Sequence, residues 1–212
     1  MNILKHCKIF DDIYDITEDM TKKEKGDILE KITYYLFKLA PMLNNKLEEI
    51  FMYEDVPNSL LKKLKLPDKD KGIDLIAKIN GEYYAIQSKF RQNPNVSISW
   101  AELSTFFGLS FGLHDKIKGG FLVTNTYNLC DEIKKSNKVT PIYGDFFDDN
   151  LPENFFENML RLESGNNAIK YVEKKPFSHQ KECIKKCEEH FTTVVETDDS
   201  SSDDSSDSDS DS

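Results

Sequence analysis

The sequence predicts an α/β fold: a mixed central sheet flanked by helices. Three observations carry that expectation. A long helical periodicity occupies 22–40, short apolar runs recur between 50 and 143, and two of those runs are joined by Asn80-Gly81. Asn-Gly between apolar runs is a strong hairpin signal, because a type I′ turn requires positive φ at both central residues.

Each element follows from its own pattern. Ile28, Leu29, Ile32, Tyr35, Leu36 and Leu39 recur at helical spacing and Pro41 closes the run, which predicts a helix over 22–40. Ile50-Phe51-Met52-Tyr53 is a short strand, followed by a Lys-rich helical stretch at 58–65. The runs 73–79 and 82–89 are the arms of the hairpin. Ser99 caps an aromatic-rich helix, SWAELSTFFGLSF, with Ser99 and Glu102 in capping-box register. Gly119-Gly120 punctuates, FLVTN is a buried strand, and 128–136 is a helix. VTPIY is an edge strand, because Pro141 has no N–H to give to a ladder.

Composition divides the chain. Its 212 residues carry 28 basic and 38 acidic side chains, a net charge of −10. Residues 197–212, TDDSSSDDSSDSDSDS, hold seven Asp and no apolar residue; without them the balance is 28 against 31, a net −3. The acidity therefore belongs to a tail that cannot bury enough surface to order itself. The expected organisation is a globular unit at 1–160, a linker (RLESGNN) leading to an amphipathic piece across 161–196, and a disordered acidic tail at 197–212. No run approaches the roughly 18–20 apolar residues that a bilayer requires, and MNILKHCKIFDDIYDITEDM has no signal-like apolar stretch. Four scattered cysteines (Cys7, Cys130, Cys183, Cys187) do not form a secreted-domain framework, so the expected location is intracellular, whether cytoplasm, nucleus or virion.

The hairpin gathers the chemistry. A two-residue turn at 80–81 sets Ile79 against Glu82, and counting back along both arms sets Asp74 against Gln87. Lys89 stands two residues from Gln87 and so shares its face. Leu75 with Ile86 and Ala77 with Tyr84 face the other way and look like core. A carboxylate, an amide and an ammonium thus meet at one end of a largely buried ribbon. A strand-end salt bridge between Asp74 and Lys89 would explain them, at about 0–1 kcal/mol if exposed. A metal-dependent phosphodiesterase would explain them too. Asp74, the Gln87 oxygen and the Ser88 carbonyl are the hard oxygen donors that Mg²⁺ prefers, and Lys89 would orient the water and offset transition-state charge.

The segment KGIDLIAKINGEYYAIQSKF resembles the active-site hairpin of the PD-(D/E)xK nuclease superfamily in its Asp…Gln-x-Lys form, as in Mrr-like restriction endonuclease domains. The nearest likeness is to nuclease domains that precede superfamily 2 helicase motors in single-chain restriction enzymes and in large DNA viruses. It continues through SWAELSTFF and GGFLVTNT and reaches back to KGDILE, covering most of 22–145. The resemblance implies a restriction-endonuclease-like fold and Mg²⁺-dependent cleavage of DNA. It makes Asp74 the principal metal ligand, Gln87 the replacement for the more usual Glu, and Lys89 the catalytic lysine. Glu30 becomes a supporting carboxylate, with a solvated helix residue as its other explanation. A second resemblance, KKPFSHQKECIKKCEEHF, is to the opening helix of a superfamily 2 helicase, but no G-x-x-x-x-G-K-[ST] phosphate loop follows. ATP-driven activity is therefore not expected of these residues, and a separately encoded helicase is an implied partner, as is a homodimer for double-strand cutting.

Other signals carry less. His179, Cys183, Cys187 and His190 share a helical face, yet at about 1.5 Å per residue His179 and Cys187 stand ~12 Å apart, too far for one tetrahedral zinc. Trp100, Phe106 and Phe107 could stack on bases, but an aromatic stripe is more simply core. Lys22, Lys23, Lys25, Lys62, Lys63, Lys65, Arg91, Lys116 and Lys118 flank the hairpin and offer charge for DNA contact. Two alternatives to the enzyme remain: a catalytically silent DNA- or protein-binding module of the same fold, and a tail that docks a basic partner.

Overall fold

The computed structural model describes residues 3–69, 72–169, 181–183 and 185–186. Its contacts divide the chain into Met1–Ile169 and Lys170–Ser212, and the whole sheet lies in the first unit. In chain order the elements are α1 (Asp12–Thr17), α2 (Lys22–Leu39), α3 (Pro41–Asn44), β1 (Leu47–Met52), α4 (Asn58–Leu64), β2 (Leu75–Ile79) and β3 (Glu82–Lys89). Then come α5 (Ser104–Phe107), β4 (Gly119–Thr124), α6 (Asp131–Lys134), β5 (Val139–Ile142), α7 (Gly144–Asp149) and α8 (Phe155–Glu163).

The five strands stand side by side in sequence order. β1–β2 and β2–β3 pair antiparallel, β3–β4 and β4–β5 parallel, which is the mixed sheet expected. Asn80 and Gly81 have φ of 51° and 79°, the double positive that a type I′ turn demands. The hairpin pairs Ile79 with Glu82, Ala77 with Tyr84 and Leu75 with Ile86, the register counted from the turn.

Alternation along the strands divides the interior in two. Leu75, Ala77, Ile86 and Val123 pack with Leu29, Ile32, Leu36 and Phe37 of α2 and with Phe155, Phe156 and Met159 of α8. Ile76, Ala85 and Leu122 face the opposite way, onto Leu61 and Leu64 of α4 and onto Leu103 and Phe106. Sequence alternation marked Leu75/Ile86 and Ala77/Tyr84 as the core face; the structure buries residues on both faces, because helices cover both sides of the sheet.

α2 begins at a Thr21 cap: Glu24 N–H donates to Thr21 Oγ1 at 3.3 Å, and Glu24 Oε2 accepts from Thr21 N–H at 2.8 Å. That capping box and Pro41 bound the helix within a residue of its predicted span.

Several local expectations are corrected. The aromatic helix after Ser99 is three short pieces: a 3₁₀ turn at Trp100–Leu103, α5, and a π turn at Gly108–Gly112. Gly119-Gly120 does not punctuate but opens β4, because Gly120 lies where a Cβ would come within 2.8 Å of Phe106 and 3.0 Å of the Ala85 carbonyl. The helix expected over 128–136 shrinks to Asp131–Lys134. α8 runs on to Glu163, so the polar stretch from Arg161 starts as the last turn of a packed helix. α1, α7 and α8 carry no periodicity long enough to announce them, yet Ile13, Phe147, Phe155, Phe156 and Met159 are all core.

Candidate active site

Asp74 sits one residue before β2, held by main-chain bonds to both neighbouring strands. Its N–H donates to Ile86 O at 2.9 Å, and its carbonyl accepts from Tyr53 N–H at 2.8 Å. Asp74 is 6% exposed, and its carboxylate accepts hydrogen bonds from Gln87 and Ser88. Gln87 Nε2 donates to Oδ1 and Oδ2 at 3.1 and 3.0 Å, and Ser88 N–H donates to Oδ2 at 2.5 Å. Gln87 is buried as well, with its Oε1 3.5 Å from the place a Cβ on Gly72 would take. The Ser88 side chain points to the other face of the sheet, where Oγ donates to Thr33 Oγ1 of α2 at 3.1 Å.

Lys89 ends β3, half-buried and opposite Thr124, whose hydroxyl donates to the Lys89 carbonyl at 2.6 Å. Among the described residues its ammonium makes no hydrogen bond or ion pair. Glu30 reaches the site from α2. It lines a cleft of about 580 Å³ together with Asp74, Tyr34, Tyr53 and the acidic Asp27, Glu54 and Asp55. Asp74, Gln87 and Ser88 are therefore one hydrogen-bonded cluster, and Glu30 shares a cleft with its carboxylate.

Sequence reasoning passed over Asp27, Glu54 and Asp55. Asp27 was within reach of it, being one helical turn before Glu30. Glu54 and Asp55 follow β1, and only the β1–β2 pairing, which ends at Met52 opposite Leu75, brings them beside Asp74. The donor set suits Mg²⁺: carboxylate, carboxamide and main-chain carbonyl are hard oxygens, and this ion retains several waters, so one or two carboxylates suffice. Among the described residues no three of His, Cys, Asp and Glu converge as a metal cage. His179, Cys187 and His190 lie outside the described residues.

Several of the flanking cations are engaged. Lys23 pairs with Asp27 at 3.1 Å, Lys25 donates to Gln92 Oε1 at 2.6 Å, Lys63 sits 5.0 Å above the Tyr83 ring, and Arg91 pairs with Glu102. Of the aromatic residues after Ser99, Phe106 is fully buried core, while Trp100 is 41% exposed and packs on Phe107 at 4.5 Å.

Residues 38–143, half of the chain, match the model of the Mrr_cat_2 family, described as a restriction endonuclease. The chain belongs to this restriction endonuclease family. The match contains Asp74, Gln87, Ser88 and Lys89 but leaves out Glu30 and all of α1 and α8. The Mrr_cat_2 domain also shares its fold with a solved ATP-dependent Type ISP restriction-modification enzyme, LlaBIII, bound to DNA. The TM-score is 0.58 at 19% identity, over 88% of this chain and 11% of that one. The chain thus spans about a tenth of that enzyme's length. A crystal structure of AF1548, a protein of unknown function, aligns at TM-score 0.35 and 18% identity over 64% of this chain and 67% of the other. No curated protein matches. No helix among the described residues is long and apolar enough to cross a membrane.

Proposed function

We propose that this restriction endonuclease domain hydrolyses DNA phosphodiester bonds using Mg²⁺ held by Asp74, the Gln87 side-chain oxygen and the Ser88 carbonyl. The observation that carries the proposal is the buried Asp74–Gln87–Ser88 cluster at the end of the hairpin, with Lys89 two residues on and Glu30 on the same cleft. The bound ion would polarise the scissile phosphate and acidify water. Lys89 orients the attacking water and offsets charge as it builds on the phosphate. Glu30 adds a second carboxylate from α2. Gln87 turns its carboxamide to present oxygen instead of nitrogen, and being neutral it leaves the site one charge short of the Glu form.

The same hydrogen bonds favour a second function. Gln87 already satisfies the Asp74 carboxylate, so the cluster is stable without an ion and would suit a catalytically silent module that binds DNA or protein. In either case a helicase encoded separately is the proposed partner, in keeping with the ATP dependence of the Type ISP enzyme. Two copies would be needed to cut both strands. The nuclease domain is assigned to the residues through the end of α8, the helicase-like segment to those between α8 and 196, and the acidic tail to 197–212, the last lying outside the described residues.

Supercoiled plasmid incubated with Mg²⁺ separates the two. Nicking by the wild type that vanishes in Lys89→Ala supports the nuclease; DNA binding with equal silence from both proteins supports the module.

A further inference from the structure

The β3–β4 ladder stops at Lys89 opposite Thr124, yet the chain beyond it is still hydrogen-bonded to the segment that follows β4. Asn125, 1% exposed, takes over from the ladder. Its Oδ1 accepts from Arg91 N–H at 2.7 Å, and its Nδ2 donates to the Arg91 carbonyl at 2.6 Å. A carboxamide bonded to both main-chain groups of one residue does what a peptide of a neighbouring strand would do. With the Thr124 hydroxyl on the Lys89 carbonyl, two consecutive side chains clamp the backbone on either side of Phe90.

The clamp has its own anchor. Asn125 Nδ2 also donates to the Tyr14 hydroxyl of α1 at 2.9 Å, and the Tyr14 ring packs on Phe90 at 6.0 Å. Arg91 is further tied to Glu102, and Gln92 to Lys25 of α2. Lys89 is the last residue before this junction, so the direction of its side chain depends on the backbone that Asn125 holds. Asn125, Thr124 and Tyr14 do not line the Asp74 cleft, and the Asn125 carboxamide is engaged with Arg91 and Tyr14.

We infer that Asn125 is a positioning residue for Lys89: by completing the sheet beyond its last ladder pair, it aims the lysine that the proposed cleavage needs. This rests on the nuclease function proposed above. α1, which lies outside the matched family region, thereby joins the catalytic half of the fold through Tyr14.

The test compares plasmid nicking by wild type, Asn125→Ala, Lys89→Arg and the double variant, all in Mg²⁺. Asn125→Ala should lower kcat about 100-fold, the scale of a displacement near 1 Å, with KM within about twofold of wild type. The double variant should be no slower than the slower single one, because both changes act on one group. If Asn125→Ala does not fold, Tyr14→Phe takes its place; it removes only the hydroxyl and should show the same pattern at smaller amplitude. Full-rate cutting by the variants, losses that multiply in the double, or a raised KM with unchanged kcat would each overturn the assignment while leaving the nuclease standing. A wild type that fails to nick overturns the nuclease and this assignment with it.

Discussion

Gln87 donates its amide nitrogen to both oxygens of Asp74, at 3.1 and 3.0 Å, so the two side chains proposed to share an ion are bonded to each other without it. The pairing explains how a carboxylate stays 6% exposed in this protein. In the proposed site it would also set a barrier to metal binding, since the amide must turn before it can offer oxygen.

Gln87→Glu removes that donor and puts a second carboxylate against Asp74. Without metal the variant should melt below wild type, because two buried like charges repel. With Mg²⁺ it should recover and bind the ion about tenfold more tightly, following the added ligand charge. Thermal melting across a Mg²⁺ titration reads both effects. An ion that stabilises variant and wild type equally would remove Gln87 from the site.

Asp74→Asn keeps an oxygen for Ser88 N–H but sets an amide donor against the Gln87 amide. The mismatch should lower stability by about 1–3 kcal/mol in urea unfolding and abolish nicking. Asp74→Ala leaves both buried donors without an acceptor and should be the less stable of the two.

Burial pushes the Glu102 carboxyl up, but the Ser99 N–H, the Arg91 guanidinium and the Ser99 hydroxyl more than reverse it, bringing it from 4.5 to about 2. A folded value below the unfolded one means stability present above pH 4.5 and lost as pH falls towards 2. The side chain is 39% exposed, so the contribution should stay under about 1 kcal/mol. Glu102→Gln should therefore lower stability by up to about 1 kcal/mol at neutral pH, leave it almost unchanged near pH 2, and so flatten the acid limb of the stability curve between those values.

Gly120→Ala tests the contact that shapes the second core. The new methyl would meet Phe106 Cζ at 2.8 Å and the Ala85 carbonyl at 3.0 Å, and the latter is backbone of β3. Overpacking of this kind should lower stability by about 1–3 kcal/mol. Gly108→Ala, which meets nothing within 4 Å, is the control in the same denaturation experiment.

Where the decisive geometry is local, the sequence was enough. Asn80-Gly81 admits one turn type, that turn admits one register, and the register places Asp74 at the level of Gln87 with no knowledge of the rest of the chain. Likewise Thr21, Glu24 and Pro41 bound α2 through bonds and clashes within one helical turn. Tertiary structure decided the remainder. Glu30 lies 44 positions from Asp74, and only the packing of α2 across the sheet puts both on one cleft. The short helices α1, α7 and α8 have too few turns to show periodicity, and their phenylalanines and isoleucines find a core only once the sheet exists. Asn125 ends an apolar strand in the sequence; that it extends the sheet by one residue is visible only when Arg91 is beside it. Turns and caps are settled by a few bonds between near neighbours in the chain, whereas a cleft and a clamp need surfaces whose partners are chosen by burial over long distances.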